Sequence, residues 1–301
     1  MRVGIPKGFF YYTYRPFLET FCSGLGLPVK YSEPTDQEIL ELGSRACVDE
    51  ACLPAKIMCG QVERLACDCD AIALPRIMKT EFGESICPKI AGAPDLVSQG
   101  PAKDKLRFTE PLYLDDEKKL EKTLWKECKK LGIKKDRFKV SFLNGLLAQE
   151  QKQRGLDEQG YGHKIFLAGH CYNIYDPFVN MDLLRKLHRL DMGVITEERV
   201  KRREKDQALA YADLMKKPYW SFFVNNFGAA KTLERQGIDG IIYLSSFSCG
   251  TDSFTVEMLK NNVIDLPMLV LKLDEQRGEA GFDTRLEAFA EVLKGRKKKW
   301  H

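Results

Sequence analysis

Three cysteines stand where a thiolate could bind a metal: Cys52 in DEACLP, Cys87 in ESICPK and Cys249 in SSFSCGTDSF. Cys249 follows a short apolar run, Ile241-Ile242-Tyr243-Leu244, that reads as a buried strand. In open α/β sheets, ligands sit just beyond the carboxyl ends of strands. Gly250 beside the cysteine lets backbone approach closely. Pro54 suits the first turn of a helix, which puts Cys52 at a helix N-terminus. There the dipole and free N–H groups favour a thiolate over a thiol. Pro88 stiffens the turn after Cys87, and Lys89 adds positive charge. The three thiolates are expected to hold one iron–sulfur cluster in a cleft between two α/β domains. Plain packing or capping is the alternative at each position.

A fourth candidate stands in GHCYNIYDP, where His170 and Cys171 lie together at the carboxyl end of a strand. His170, Asn173, Ser248 and Thr251 neighbour the proposed ligands. They could donate hydrogen bonds to sulfur, and His170 could move protons. A structural role is the alternative for each. Cys59 is read as core, because it lies ~10.5 Å along the helix from Cys52. Cys47 is left as either. Cys67 and Cys69 read as a turn and strand entry, and Cys128 as packing. No C-x-x-C occurs, which argues against a zinc ribbon or a thioredoxin-like site.

The elements that must position these residues alternate along the chain. RVGIP reads as a strand and Pro16 as the start of a helix. Val29–Tyr31 is a second strand, and Thr35 with Glu38 forms a capping-box pattern that opens a helix. Ala71–Leu74 is a strand, 101–113 an irregular connection, and 115–131 and 135–153 two polar helices. Gln151–Gly162 reads as the domain boundary, giving domains 1–150, with Cys52 and Cys87, and 151–301, with Cys171 and Cys249. The second half brings strands at 164–168, 194–195, 241–244 and 267–273. Asn180 is placed to cap a helix with Leu183, Leu184, Leu187 and Leu190, which Gly193 ends. An aromatic helix carries Phe222, Phe223 and Phe227 as core. TRLEAFAEVL is a closing helix, and the basic run from Gly295 to Lys299 is a solvated tail. The fold class is α/β: two Rossmann-like domains with mainly parallel sheets and a cleft between them.

Composition narrows the function. The 301 residues are 44% hydrophobic and 30% charged, so a sizeable core is available. The 47 basic and 43 acidic residues nearly balance, which argues against a nucleic-acid or membrane surface. No apolar run approaches the ~20 residues of a membrane span. Met1-Arg2 leads straight into an apolar strand with no signal region, so a cytoplasmic location is expected. Ten cysteines in a reducing compartment point to metal or redox chemistry for about half of them. Neither G-x-x-x-x-G-K-[ST] nor G-x-G-x-x-G is present, so no recognised nucleotide-binding loop is offered.

Five motifs in order, DEACLP, ICPKIAGAPDL, GHCYNIYDP, IIYLSSFSCGTDSF and DEQRGEAGFDTRLEAF, resemble a domain of unknown function. That domain is found as small free-standing proteins and at the C-terminal end of long 2-hydroxyacyl-CoA dehydratase activases. The group is similar to dehydratase and benzoyl-CoA reductase subunits and to double-cubane cluster proteins. The resemblance implies a [4Fe-4S] cluster on Cys52, Cys87 and Cys249. The position of Cys171 is usually a proline in that pattern, so it would add a fourth thiolate or serve a larger or double cluster. It further implies a partner, an ATP-hydrolysing activase with its own iron–sulfur cluster. This chain would accept its low-potential electron and reduce a small substrate, by analogy a CoA thioester, or another cluster. A non-catalytic cluster-bearing carrier or scaffold subunit is the alternative, and a metal-free ligand-binding module a third. Enzyme activity and oligomeric state are left open.

Overall fold

The computed structural model describes residues 1–152, 154–212, 214, 218–276 and 278–297. The chain divides into two compact units, Met1–Gln153 and Arg154–His301.

The first unit runs β1 (Val3–Ile5), α1 (Tyr11–Leu25), β2 (Val29–Tyr31), α2 (Gln37–Ala46), α3 (Leu53–Asp68) and β3 (Ala71–Ala73). It continues with β4 (Arg76–Lys79), α4 (Pro88–Ala91), α5 (Ala93–Val97), β5 (Leu106–Arg107), β6 (Pro111–Tyr113), α6 (Glu117–Lys130) and α7 (Lys135–Gln151). Four parallel strands form a sheet in the order β2-β1-β3-β5, and β4 pairs with β6 in a separate parallel ribbon. The supposed irregular connection therefore holds two short strands, and the segment after β3 holds another.

Several helix boundaries differ from expectation. α1 begins at Tyr11, and Pro16 lies inside it at the cost of one internal hydrogen bond. Asp36, not Thr35, caps α2: its Oδ1 accepts from Ile39 N at 2.8 Å. Thr35 instead accepts from Gln61 Nε2 at 3.3 Å. α3 continues through Cys67 and Asp68, with Cys69 just beyond it. α7 is less polar than it reads. Phe138 and Phe142 turn inward and pack with Phe17 and Phe21 of α1. Cys128 and Cys22 lie in the same core, as packing residues.

The second unit runs β7 (His163–Gly169), α8 (Cys171–Ile174), α9 (Leu183–Arg189), β8 (Met192–Ile195) and α10 (Arg202–Tyr211). It closes with α11 (Ser221–Gln236), β9 (Gly240–Ser246), α12 (Gly250–Asn262), β10 (Met268–Leu273) and α13 (Glu279–Lys297). All four strands are parallel, in the order β10-β9-β7-β8. Asn180 Oδ1 accepts from Leu183 N at 3.1 Å, as the capping expectation requires. Gly193 does not end the helix; it lies in β8, and Asp191 makes the turn at φ +59°. Phe223, Phe227 and Leu233 of α11 fill the core against Phe166 and Ile241. Lys298 and Lys299 of the basic tail, and Arg277 of the DEQRGEAGFDTRLEAF motif, lie outside the described residues. Among the described residues no helix is long and apolar enough to cross a membrane.

The fold class is thus α/β with parallel sheets. Numbered within its own sheet, each four-stranded sheet has the order 2-1-3-4. In such a sheet the connections leave in opposite directions from the first strand. The crevice between the first and third strands, at their carboxyl ends, is where ligands bind. In the second unit those strands are β7 and β9.

Candidate functional site

β7 and β9 lie side by side, and each ends in a residue of the candidate site. At the end of β7, Gly169 takes φ +138°, which an L side chain rarely adopts. A Cβ there would also lie 2.7 Å from Leu244 O of β9. Asn226 of α11 pins this turn: its Oδ1 accepts from Gly169 N at 2.8 Å. The next residue, His170, is thereby fixed against the end of β9.

The chain leaves β9 through Phe247 and Ser248, and Ser248 adopts a left-handed φ of +61°. That sparsely populated conformation carries Cys249 to the N-cap of α12, where its side chain caps nothing. Cys249 Sγ lies 3.9 Å from His170 Nε2 and 3.2 Å from Thr251 Oγ1.

Asp252, in the first turn of α12, completes the site. His170 Nε2 lies 2.9 Å from Asp252 Oδ1, and both side chains are fully buried, at 1% and 0% exposure. Tyr243 OH donates to Oδ1 at 2.9 Å and Ser246 N to Oδ2 at 3.0 Å. Burial opposes a charged imidazole, but the Asp252 charge and hydrogen bond outweigh it, with a smaller contribution from Cys249. The His170 pKa is held up at about 10. The same pairing, with the Tyr243 and Ser246 donors, overcomes burial and keeps the Asp252 pKa below the ordinary carboxylate value. The ring is walled by Tyr172, stacked at 4.9 Å between centroids, and by Phe222, edge-on at 3.9 Å. His170 Nδ1 has no hydrogen-bond partner. Chemically, the arrangement is a sulfur atom facing a buried cation whose counter-ion sits behind it.

The other expected residues fall out variously. Asn173 is fully buried and bonds to Ser246, its Nδ2 donating to Oγ at 3.0 Å and its Oδ1 accepting from Oγ at 3.1 Å. It serves the β7–β9 end, not sulfur. Ser248 is exposed and contributes its backbone turn. Cys171 is buried at the start of α8. Among the described residues, His170, Cys249 and Asp252 form the one group of three donor atoms within 4.8 Å of one another. Cys171, Cys52 and Cys87 are in no such group.

In the first unit Cys52 is the N-cap of α3 and Cys87 the N-cap of α4. Their turns are tied together by Lys89 Nζ, which donates to Glu50 O at 3.3 Å. Arg76 holds the Cys87 segment from behind, with two hydrogen bonds to Asp95 at 2.6 and 2.7 Å and one to Ala91 O at 3.0 Å. Cys59 is buried as expected, but its sulfur lies 2.9 Å from that of Cys47.

Sequence reasoning did not single out Asp252, Tyr243 or Phe222 as site residues. The one available signal was an acidic residue in the first turn of the helix after Cys249, which usually means a favourable dipole contact.

The donor set bears on the expected cluster. Cys249 offers a sulfur uncommitted to capping, which fits thiolate ligation. Asp252 does not fit a cluster ligand, because its oxygens already accept from three donors.

No curated protein matches the chain. The family model described as the CoA enzyme activase uncharacterised domain matches residues 2–200. This overturns the expected role. A chain of activase type is not the electron-accepting partner of an activase, whether as reductase or as carrier subunit. The ATP-hydrolysing activase expected as its partner falls with that role. The match spans more than half of the 301 residues, and the chain belongs to the CoA enzyme activase uncharacterised domain family.

Proposed function

We propose that this chain is a metalloprotein acting on the activase side of an enzyme system of CoA chemistry. In this reading Cys249 of the second unit is a thiolate ligand of an iron–sulfur centre, and Cys52 and Cys87 are thiolate ligands on the first unit. The carrying observation is the His170–Asp252 pair, at 2.9 Å and fully buried, beside the Cys249 sulfur. An iron–sulfur centre supplies one-electron chemistry, with a potential set by charge, hydrogen bonds to sulfur and exposure. Here His170 serves as a fixed cation beside sulfur and Thr251 as a hydroxyl at 3.2 Å, both of which raise a centre's potential. Asp252 keeps the imidazole protonated, and Tyr172 and Phe222 exclude water from it. The resemblance of the motifs to dehydratase subunits and double-cubane proteins supports the thiolate assignments.

A second reading is favoured by one observation, the nitrogen, sulfur and oxygen donors of His170, Cys249 and Asp252 within 4.8 Å of one another. They would suit a single divalent ion, which must displace the proton between His170 and Asp252. Iron, zinc and acid-labile sulfide in protein isolated without oxygen separate the two. Iron with sulfide, diminished by Cys249→Ser, Cys52→Ser and Cys87→Ser, is the expected result. Zinc without sulfide supports the single ion, and protein devoid of metal defeats both.

A further inference from the structure

The first unit holds a second sulfur arrangement. Cys47 lies just past the end of α2, and Cys59 sits in the second turn of α3. These helices cross at glycine on glycine. A Cβ at Gly43 would collide with Lys56 O, and one at Gly60 with Ile39 O. Backbone therefore meets backbone, and the crossing has no slack. It presses the two sulfurs to 2.9 Å, closer than non-bonded sulfur atoms normally sit. Both are thiols. Cys59 is 2% exposed, whereas Cys47 is half-buried and can be reached from solvent. Lys56 and Lys89 stand on the same side, tied to Asp49 O and Glu50 O of the intervening turn at 2.9 and 3.3 Å.

We propose that Cys47 and Cys59 form a redox-active dithiol that undergoes thiol–disulfide exchange with a small-molecule disulfide. The Cys47 thiolate attacks one sulfur of the disulfide, forms a mixed disulfide and expels one thiolate. Cys59 then gives up its proton and attacks the Cys47 sulfur, closing the internal disulfide and expelling the second thiolate. Two protein thiols lose two electrons and two protons, and the small disulfide becomes two thiols. The assignment of attacker and resolver follows from access, and the electrostatics agree. The sulfur–sulfur hydrogen bond lowers the Cys47 pKa, and the positive charges of Lys56 and Lys89 add to it against burial. The same hydrogen bond and burial raise that of Cys59. A low-pKa, accessible thiol next to a resolving cysteine is the arrangement that exchange requires.

This proposal is independent of the metal assignment and is tested separately. The full chain is reduced, freed of reductant and treated with oxidised glutathione; remaining thiols are alkylated and peptides mapped by mass. A Cys47–Cys59 linked peptide, two hydrogens lighter than the reduced pair, is expected. In Cys59→Ser, glutathione should accumulate on Cys47. In Cys47→Ser, exchange at Cys59 should fall by at least about ten-fold. Exposed Cys67 reports that the reagent is active. The proposal is overturned if Cys67 reacts while no linked peptide forms, or if the Cys59→Ser adduct avoids Cys47. Metal content unchanged by Cys47→Ser, including none in either protein, supports it. Loss of bound metal in that variant would reassign the pair to metal ligation and overturn it. Should a variant fail to fold, the wild-type linkage map on folded protein decides.

Discussion

Asp252 governs the chemistry available at His170. In an unfolded chain the ring would titrate near ~6.5, whereas in the folded protein its pKa is about 10. A raised pKa gives stability that is full below the unfolded value and is lost as pH rises through the folded one. The facing groups are Asp252, Cys249 and Tyr243, and burial and Asp252 raise the Tyr243 hydroxyl too. The metal-free protein should therefore lose stability between about pH 6.5 and 10, and Asp252→Asn should flatten that slope. Removing the carboxylate from the buried pair should itself cost about 3 kcal/mol or more. Urea midpoints of both proteins across this range check the sign, and a parallel slope in the variant would refute it. At this scale the positions of Cys249, His170 and Thr251 beyond strand ends are legible, because small polar residues after an apolar run mark a strand's end. Asp252 was not, because its partner arrives from β7, far along the chain. The sequence points to Ser248, whereas in the fold Ser246 bonds to Asn173, since a sequence does not show which serine the left-handed turn exposes.

The contact between α2 and α3 belongs to the element scale. Gly43→Ala places a methyl group against Lys56 O with no flexible side chain to yield. A loss of about 3 kcal/mol is expected, measured by chemical denaturation beside an exposed control such as Gly132→Ala. Gly132 has open space but φ +74°, so it registers backbone strain alone. A variant as stable as wild type would mean that the helices cross elsewhere. Closing the Cys47–Cys59 link across the same crossing should stabilise the first unit by about 3 kcal/mol, read as a higher midpoint after oxidation. The helices themselves were legible from apolar spacing. Their ends shifted where side chains had competing partners, as when Gln61 took Thr35 and left the cap to Asp36. The polar look of α7 concealed Phe138 and Phe142, whose neighbours on α1 decide which face is buried.

For the whole molecule, two sheets of the same 2-1-3-4 order each enclose their own core. Residues 1–153 and 154–301, produced separately, should each fold and melt cooperatively by circular dichroism. A non-cooperative fragment would show that its core needs the other unit. The alternation of strand and helix determined the parallel α/β class, because parallel neighbours need a crossover between them. β4, β5 and β6 are not legible, because Arg76 and Lys79, Arg107 and Pro111 break up the apolar runs that mark β1 and β3. The sequence also determined which residue types were available: thiols near helix starts, and a histidine at a strand end. Only the tertiary structure decided which of them meet. It joined His170 to Asp252 through adjacent strand ends, and Cys47 to Cys59 through a glycine crossing. Those encounters depend on strand order and helix approach, which are properties of the packed chain and leave no local pattern.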